Sequence, residues 1–229
     1  MTSVLNESRR DEPRDSSSED KIRRKIEGDD PTILAEIYDQ EANIAVWKRE
    51  LPASLTSAVD KFIESNPLYE MSVIVTPEGS SGKIQEASGA NLPPDLVDDM
   101  ARLVDMFCYL FDISKAGLRL AVLDRAMCPR FHVDRVPCRL VSTYRGVATD
   151  WLLHADVDRT QLGPRSHEKS DLESGLYKNE SAIQRLDCGD VALLKGELWM
   201  GNAGGGLVHR SPTVADHERR LLLTLDFCV

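Results

Sequence analysis

The spacing of apolar and polar positions divides the chain into three regimes. Residues 1–30 are dense in Ser, Asp, Glu, Arg and Lys with almost no large apolar residue. Such a segment cannot bury enough surface to offset its conformational entropy, so it is expected to be a disordered charged tail in which KIRRKIEGDD forms at most a short helical turn. From Pro31 the pattern changes. Ile33, Leu34 and Ile37 have helical spacing. NIAVWKREL reads as a short strand in which Ile44 and Val46 alternate with Ala45 and Trp47, and Pro52 ends it. Leu55, Val59, Phe62 and Ile63 mark one helix face, closed by Asn66-Pro67. MSVIVTP is a β-branched strand, and PEGSSGK reads as a turn or loop. Leu96, Met100, Leu103, Val104, Phe107 and Leu110 then form the strongest helical stripe of the chain.

After Gly117 the period shortens. LRLAVL, RLVSTY, WLLH, VALLKG and LLLTLDF are short β-like runs separated by Gly, Pro, Asp and Asn, the pattern of a sandwich or barrel. Residues 156–185 are polar and carry Gly163-Pro164 and Gly175, so they read as an insertion or lid rather than as core. The expected organisation is a tail over 1–30 and one α+β domain over 31–229.

Composition narrows the function classes. The 229 residues carry a formal net charge of −10, so no basic field is present to draw in nucleic acid or an anionic membrane. No apolar run approaches the roughly 18 residues of a membrane span, and MTSVLNESRRDEP has no apolar core of a signal peptide. The expected location is the cytoplasm. The five cysteines, at 108, 128, 138, 188 and 228, are scattered without a C-x-x-C pair and read as free thiols.

The chemistry concentrates in CPRFHVDRVPCRLVSTYRGVATDWLL. On a strand, residues two apart share a face, so His132 and Asp134 point together while Val133 points away. A third inward ligand, His209 in GLVHRSP, completes two histidines and one carboxylate. That set leaves adjacent coordination positions open and suits non-haem Fe(II), or Zn²⁺ with a bound water. A cysteine-containing zinc site is an alternative, because Cys128 and Cys138 flank the motif symmetrically. Arg139 and Arg145 alternate along the following strand and read as surface groups, with a second anion contact as the minor alternative. His154 reads as a core residue or one that supports the ligands from behind, rather than as a ligand, and His167 and His217 read as solvated. GNAGGG lacks the Lys-Ser/Thr of a phosphate loop and reads as the turn that delivers His209.

The order H-x-D, distal His, late Arg over His132 to Phe227 resembles the double-stranded β-helix core of Fe(II)- and 2-oxoglutarate-dependent oxygenases. The resemblance implies a jelly-roll-like core with the N-terminal helices packed against it, and a mononuclear iron on His132, Asp134 and His209. It implies 2-oxoglutarate as co-substrate, its far carboxylate on Arg220 at the start of RLLLTLDF. Arg219 is the alternate; alternation allows only one of the two to face the site. Tyr144 sits where many such enzymes place a donor to the co-substrate, and Ser211 matches a His-x-Ser pattern found in some of them. More narrowly, NIAVWKREL, CPRFHVDRVPCRLVSTYRGVATDWL, GDVALLKGELW and the late HRSP resemble a bacterial family known as domain of unknown function number 1826. Its association with CobW-like metal-handling GTPases implies such a partner, and with it the rival reading of a non-enzymatic zinc- or iron-binding protein in metal homeostasis. The remaining alternative is a β-fold interaction module in which the three residues only make hydrogen bonds.

Overall fold

The structure, a computed structural model, describes residues 22–163 and 169–228. Ten strands and three α-helices are placed among them: β1 Arg24–Gly28, β2 Ala42–Trp47, α1 Ala53–Ser65, β3 Glu70–Val75, α2 Ser80–Ala87, α3 Pro94–Phe111, β4 Ala116–Leu123, β5 Cys138–Arg145, β6 Asp150–Leu152, β7 Ile183–Arg185, β8 Val191–Lys195, β9 Val208–Arg210 and β10 Arg220–Phe227. They form a seven-stranded sheet in the order β1-β2-β8-β5-β10-β4-β3 and a three-stranded sheet in the order β7-β6-β9. A bridge between His132 and His209 adds a fourth rung of chain beside β9.

This connectivity is a jelly roll. From β4 onward the chain passes to the small sheet at His132, returns at β5, crosses to β6 and β7, returns at β8, crosses to β9 and returns at β10. The shared strands stack as β8-β5-β10-β4 against β7-β6-β9-His132, the eight-stranded double sheet of that architecture. β1 and β2 extend the large sheet beyond β8, and β3 extends it beyond β4.

Period-two alternation sorts the side chains of the large sheet. Leu118, Leu120, Cys138, Leu140, Tyr144, Leu221, Leu223 and Leu225 face the helices and form the main core with Leu55, Val59, Leu96, Met100, Leu103 and Phe107. Ile44, Val46, Val141, Ala192, Leu194 and Leu222 face the small sheet and pack on Trp151 and Leu207. β2 is therefore buried along its whole length. α3 is the anchor of the helical layer: its stripe is buried while Tyr109 is exposed. No helix among the described residues is long and apolar enough to cross a membrane.

Three segments differ from the sequence reading. Residues 24–28, expected in a disordered tail or a helical turn, form β1, parallel to β2. An edge strand needs little apolar content when main-chain bonds hold it; Lys48 N–H donates to Gly28 O and the Trp47 indole to Asp29 O. The expectation for residues 1–21 falls outside the described residues. α2 occupies part of the expected PEGSSGK loop; it starts after Gly79, whose φ of 71° is left-handed, and buries Ile84. The described part of the 156–185 insertion does not lie over the site. Leu176 and Tyr177 pack on Phe131, Leu152 and Val208 on the outer face of the small sheet.

A buried ionic knot ties α3 to the large sheet. Asp99 accepts from Arg49 Nη1 and Nη2 at 2.7 and 2.8 Å and from the Tyr144 hydroxyl at 2.6 Å. Burial alone would raise the Asp99 pKa; the bonds and charge of Arg49, then Tyr144 and Arg102, outweigh it and hold the carboxyl below its ordinary 3.8. Because the folded-state value is depressed, this stabilisation is present above the ordinary value and lost as pH falls below it. Asp99→Ala leaves Arg49 buried and unpaired, so urea unfolding at pH 7 is expected to show a loss of about 3 kcal/mol. Asp99→Asn should converge on the wild type in stability as the pH is lowered below 3.8.

Candidate metal centre

His132, Asp134 and His209 each offer a ligand atom, and the three atoms lie within 4.8 Å of one another. This is the one such His/Cys/Asp/Glu group found among the described residues. The backbone explains the convergence. His132 and His209 are cross-strand partners, with His132 N–H to His209 O at 2.9 Å and His209 N–H to His132 O at 3.0 Å. The side chains of paired residues project to the same face, and the rings lie 4.7 Å apart between centroids. Asp134 follows two residues on. Its carbonyl is held by Glu197 N–H at 2.9 Å, a contact that Gly196 makes possible: a Cβ there would meet Val136 O at 2.0 Å. Val133 turns outward to the Phe131 and Leu176 cluster.

The segment is also braced from outside. Asp171, in the insertion, is buried; its Oδ2 accepts from Phe131 N–H at 2.9 Å and its Oδ1 pairs with Arg130 at 2.6 Å.

Each imidazole is oriented by the same device. His132 Nδ1–H donates to Arg130 O at 2.9 Å and His209 Nδ1–H to Leu207 O at 3.1 Å. A carbonyl can only accept, so both Nε2 atoms are left with free lone pairs when the rings are neutral. These point at the carboxylate: His132 Nε2 is 3.6 Å from Asp134 Oδ1 and His209 Nε2 is 3.4 Å from Oδ2. Adjacent ligands on one ion sit about 3 Å apart when each bond is about 2.1 Å, so a small contraction would seat a cation. Burial alone would lower the His132 pKa, but Asp134 and the Arg130 carbonyl raise it above its ordinary value. Burial would likewise raise Asp134, but the two histidines and Arg139 hold it well below the carboxylate range.

Arg139 lies on the cavity side of β5, not at the surface as its sequence context suggests. Its Nη1 donates to Asp134 Oδ2 at 2.7 Å, and its Nε and Nη2 grip Asp226 at 2.8 and 3.0 Å. The clamp fixes the carboxylate and leaves Oδ1 turned toward His132. Strand alternation from Asp226 to Arg220 on β10 would have located this residue's partner.

Arg220 is 1% exposed, on the same face of β10. Nη1 donates to Ser211 Oγ at 3.1 Å, and Nη2 to Thr149 Oγ1 at 2.7 Å and Thr143 Oγ1 at 3.3 Å. Nε has no hydrogen-bond partner among the described residues. No carboxylate among them pairs with it; the neighbouring Asp150 is engaged by Arg185 and Arg210. Burial pushes the guanidinium pKa down to about 10. A cavity of about 180 Å³ is lined by this group and the histidines, with Val141 and Leu222 as apolar walls and Arg119, Met127 and Cys128 also on its lining. Ser211 is thus beside Arg220.

Tyr144 is not in this cavity. It is one residue out of phase with Arg139 and Thr143, so it faces the helices and binds Asp99, and contrary to the sequence expectation it is not placed to donate to a co-substrate in the cavity. Arg219 turns away and its Nη1 donates to Glu218 O. Cys138 is fully buried among the helix-side core residues, away from His132, so the symmetric cysteine site is not formed. His154 lies on a short 3-10 turn with its Nδ1 beside Arg159. His217 is exposed, and His167 lies outside the described residues.

A family model described as "Protein of unknown function (DUF1826)" matches residues 28–226. No curated protein matches the sequence. Among solved structures the chain is similar to a rice dioxygenase for auxin oxidation (12% identity, 90% of this chain and 82% of that one, TM-score 0.47). It is similar to a full-length Neurospora crassa protein in complex with alpha-KG (12%, 91% and 85%, 0.47) and to a Pseudomonas putida prolyl-4-hydroxylase (12%, 86% and 96%, 0.43).

Two outcomes follow from this geometry. Arg139→Gln releases Asp134, and the affinity for a divalent cation, read by competition with a chromogenic chelator, should fall by about 10- to 100-fold. Arg220→Met removes a buried charge that has no ion-pair partner among the described residues, so the metal-free protein should be unchanged or up to about 2 kcal/mol more stable in urea. A loss of more than about 1 kcal/mol would show that the charge is compensated.

Proposed function

From the premise that this chain belongs to the DUF1826 family, we propose that it is a mononuclear non-haem iron oxygenase that uses 2-oxoglutarate. The observation that carries the reading is Arg220. A guanidinium buried without an anion is expensive to keep, and this one shares a cavity with three convergent ligand atoms. The donor set fits the metal: two neutral imidazoles and one carboxylate oxygen on adjacent positions, with the rest of the coordination sphere open. The rival reading, a zinc- or iron-binding protein without activity, uses the same ligands but gives Arg220 no anion to bind.

His132 Nε2, His209 Nε2 and Asp134 would hold Fe(II), and Arg139 would keep the carboxylate in place. Bound Fe(II) would supply activation of dioxygen, the oxidant of the reaction, one oxygen atom ending in a substrate C–H bond and the other in succinate as 2-oxoglutarate gives up two electrons and CO₂. Arg220 would receive the far carboxylate of the co-substrate through guanidinium N–H groups, among them Nε, which has no partner among the described residues. Thr149 and Ser211, having accepted from the guanidinium, keep their own hydrogens to donate to that carboxylate. Val141 and Leu222 would cover its methylene carbons and exclude water. Tyr144 has no part in this, and Cys128 lies at the mouth without a ligand role.

The test is calorimetric titration of 2-oxoglutarate into anaerobic, Fe(II)-loaded protein. Saturable binding is expected, weakened about 10- to 100-fold by Arg220→Met, in line with roughly 1.5–3 kcal/mol for charge-assisted hydrogen bonds. In air, succinate should form and His132→Ala should abolish it. Metal-loaded protein that binds no 2-oxoglutarate would refute the reading.

A further inference from the structure

Among the described residues, the cavity lining includes a cation that neither the metal ligands nor the co-substrate anchor uses. Arg119 lies on β4 opposite Thr224 of β10, on the face shared by Arg220, Leu222 and Asp226. Thr224 is four residues from Arg220, about 13 Å along a strand, so Arg119 stands apart from the proposed co-substrate anchor. Arg139 is saturated by Asp134 and Asp226, and Arg210 is paired with the buried Asp150. Arg119 is not so committed. Its Nε and Nη2 rest on Glu70 Oε1 at 3.0 and 2.9 Å, and the Glu70 side chain is 59% exposed. Its Nη1 is turned instead to the Met127 sulfur at 3.1 Å. A thioether is a weak acceptor, and an exposed ion pair of this kind contributes little. A carboxylate or phosphate oxygen arriving at the mouth would be a far better partner for Nη1 than Met127 is.

We infer that the substrate is an anion whose carboxylate or phosphate group is received by Arg119 at the mouth of the cavity, an assignment that rests on the oxygenase reading of the same site. The anion displaces the Met127 thioether, while the remainder of the substrate extends past Cys128 and Thr224 toward the histidines. Glu70 is the internal competitor. It holds Arg119 in register across β3 and β4 and is weak enough, being solvated, to share it.

The experiment uses full-length protein loaded with Ni(II), which is redox-silent, and 2-oxoglutarate. The probes are inorganic phosphate and two panels: carboxylic acids paired with their primary amides, and phosphate monoesters paired with their parent alcohols. Melting temperature and calorimetry are the readouts. In the wild type, one panel's anions should bind saturably and about tenfold or more tighter than their neutral partners, and the panel that responds identifies the group. Arg119→Gln should remove that preference, Arg119→Lys should keep part of it, and Glu70→Gln should tighten anion binding about two- to fivefold by freeing the guanidinium. Folding of each variant is checked by its melting temperature without probes. Equal binding of anions and neutral partners, no binding of any anion, or Arg119→Gln behaving as wild type overturns the inference while leaving the oxygenase reading intact. Failure of 2-oxoglutarate itself to bind the metal-loaded wild type overturns that reading and this inference with it.

Discussion

Side-chain alternation on three adjacent strands, β4, β5 and β10, is the constraint from which the rest of the molecule follows. Each strand presents mostly apolar side chains to the helices at every second position and reserves the intervening positions for the space between the sheets. A shift of one residue would exchange the two sets completely. Arg119, Arg139 and Arg220 are therefore tolerated inside a double sheet only because their neighbours in sequence anchor the register so firmly. Leu118, Leu120, Leu140, Leu221, Leu223 and Leu225, all at most 1% exposed, act on the cavity by fixing which way the arginines point. The helical layer is in this sense part of the site: α3 supplies the surface against which the register is read.

Charge placement then separates two kinds of buried arginine. Arg49 meets a carboxylate in fork geometry and a tyrosine hydroxyl beside it, so its desolvation is answered within the fold. Arg220 meets only hydroxyls. Both guanidinium groups are withdrawn from solvent; the difference is that one faces a carboxylate and the other, among the described residues, only hydroxyl acceptors. Arg49 is a structural ion pair, whereas a buried guanidinium held only by hydroxyls is the arrangement on which the proposed anchor role of Arg220 rests.

The strands after Gly117 and the stripe of α3 were legible in the sequence, because both rest on periodicities long enough to be unambiguous. The H-x-D spacing and the single histidine of GLVHRSP likewise identify the three residues that the fold brings together, since cross-strand pairing of two histidines needs only that their strands be neighbours. Other features could not be read. β1 is a polar edge strand whose stability comes from main-chain bonds, which leave no trace in composition. Tyr144 was assigned by position along the chain, whereas its direction depends on counting in twos from Arg139. The role of Asp171 depends on the insertion folding back over the outer face, a tertiary contact with no local signal. Arg139 resembles a surface arginine until Asp134 and Asp226 are seen on either side of it.

Both histidines are steered by the carbonyl of the residue two places before them, while the aspartate is steered by a side chain. Genetic change acts on side chains and leaves carbonyls in place. The imidazole orientations are thus written into the main chain, where no substitution at Arg130 or Leu207 erases the acceptor, and only the carboxylate is exposed to loss through a change elsewhere in the sequence. In the candidate centre, two side chains are oriented by main-chain acceptors and one by the side chain of Arg139, so a substitution at Arg139 acts directly on Asp134.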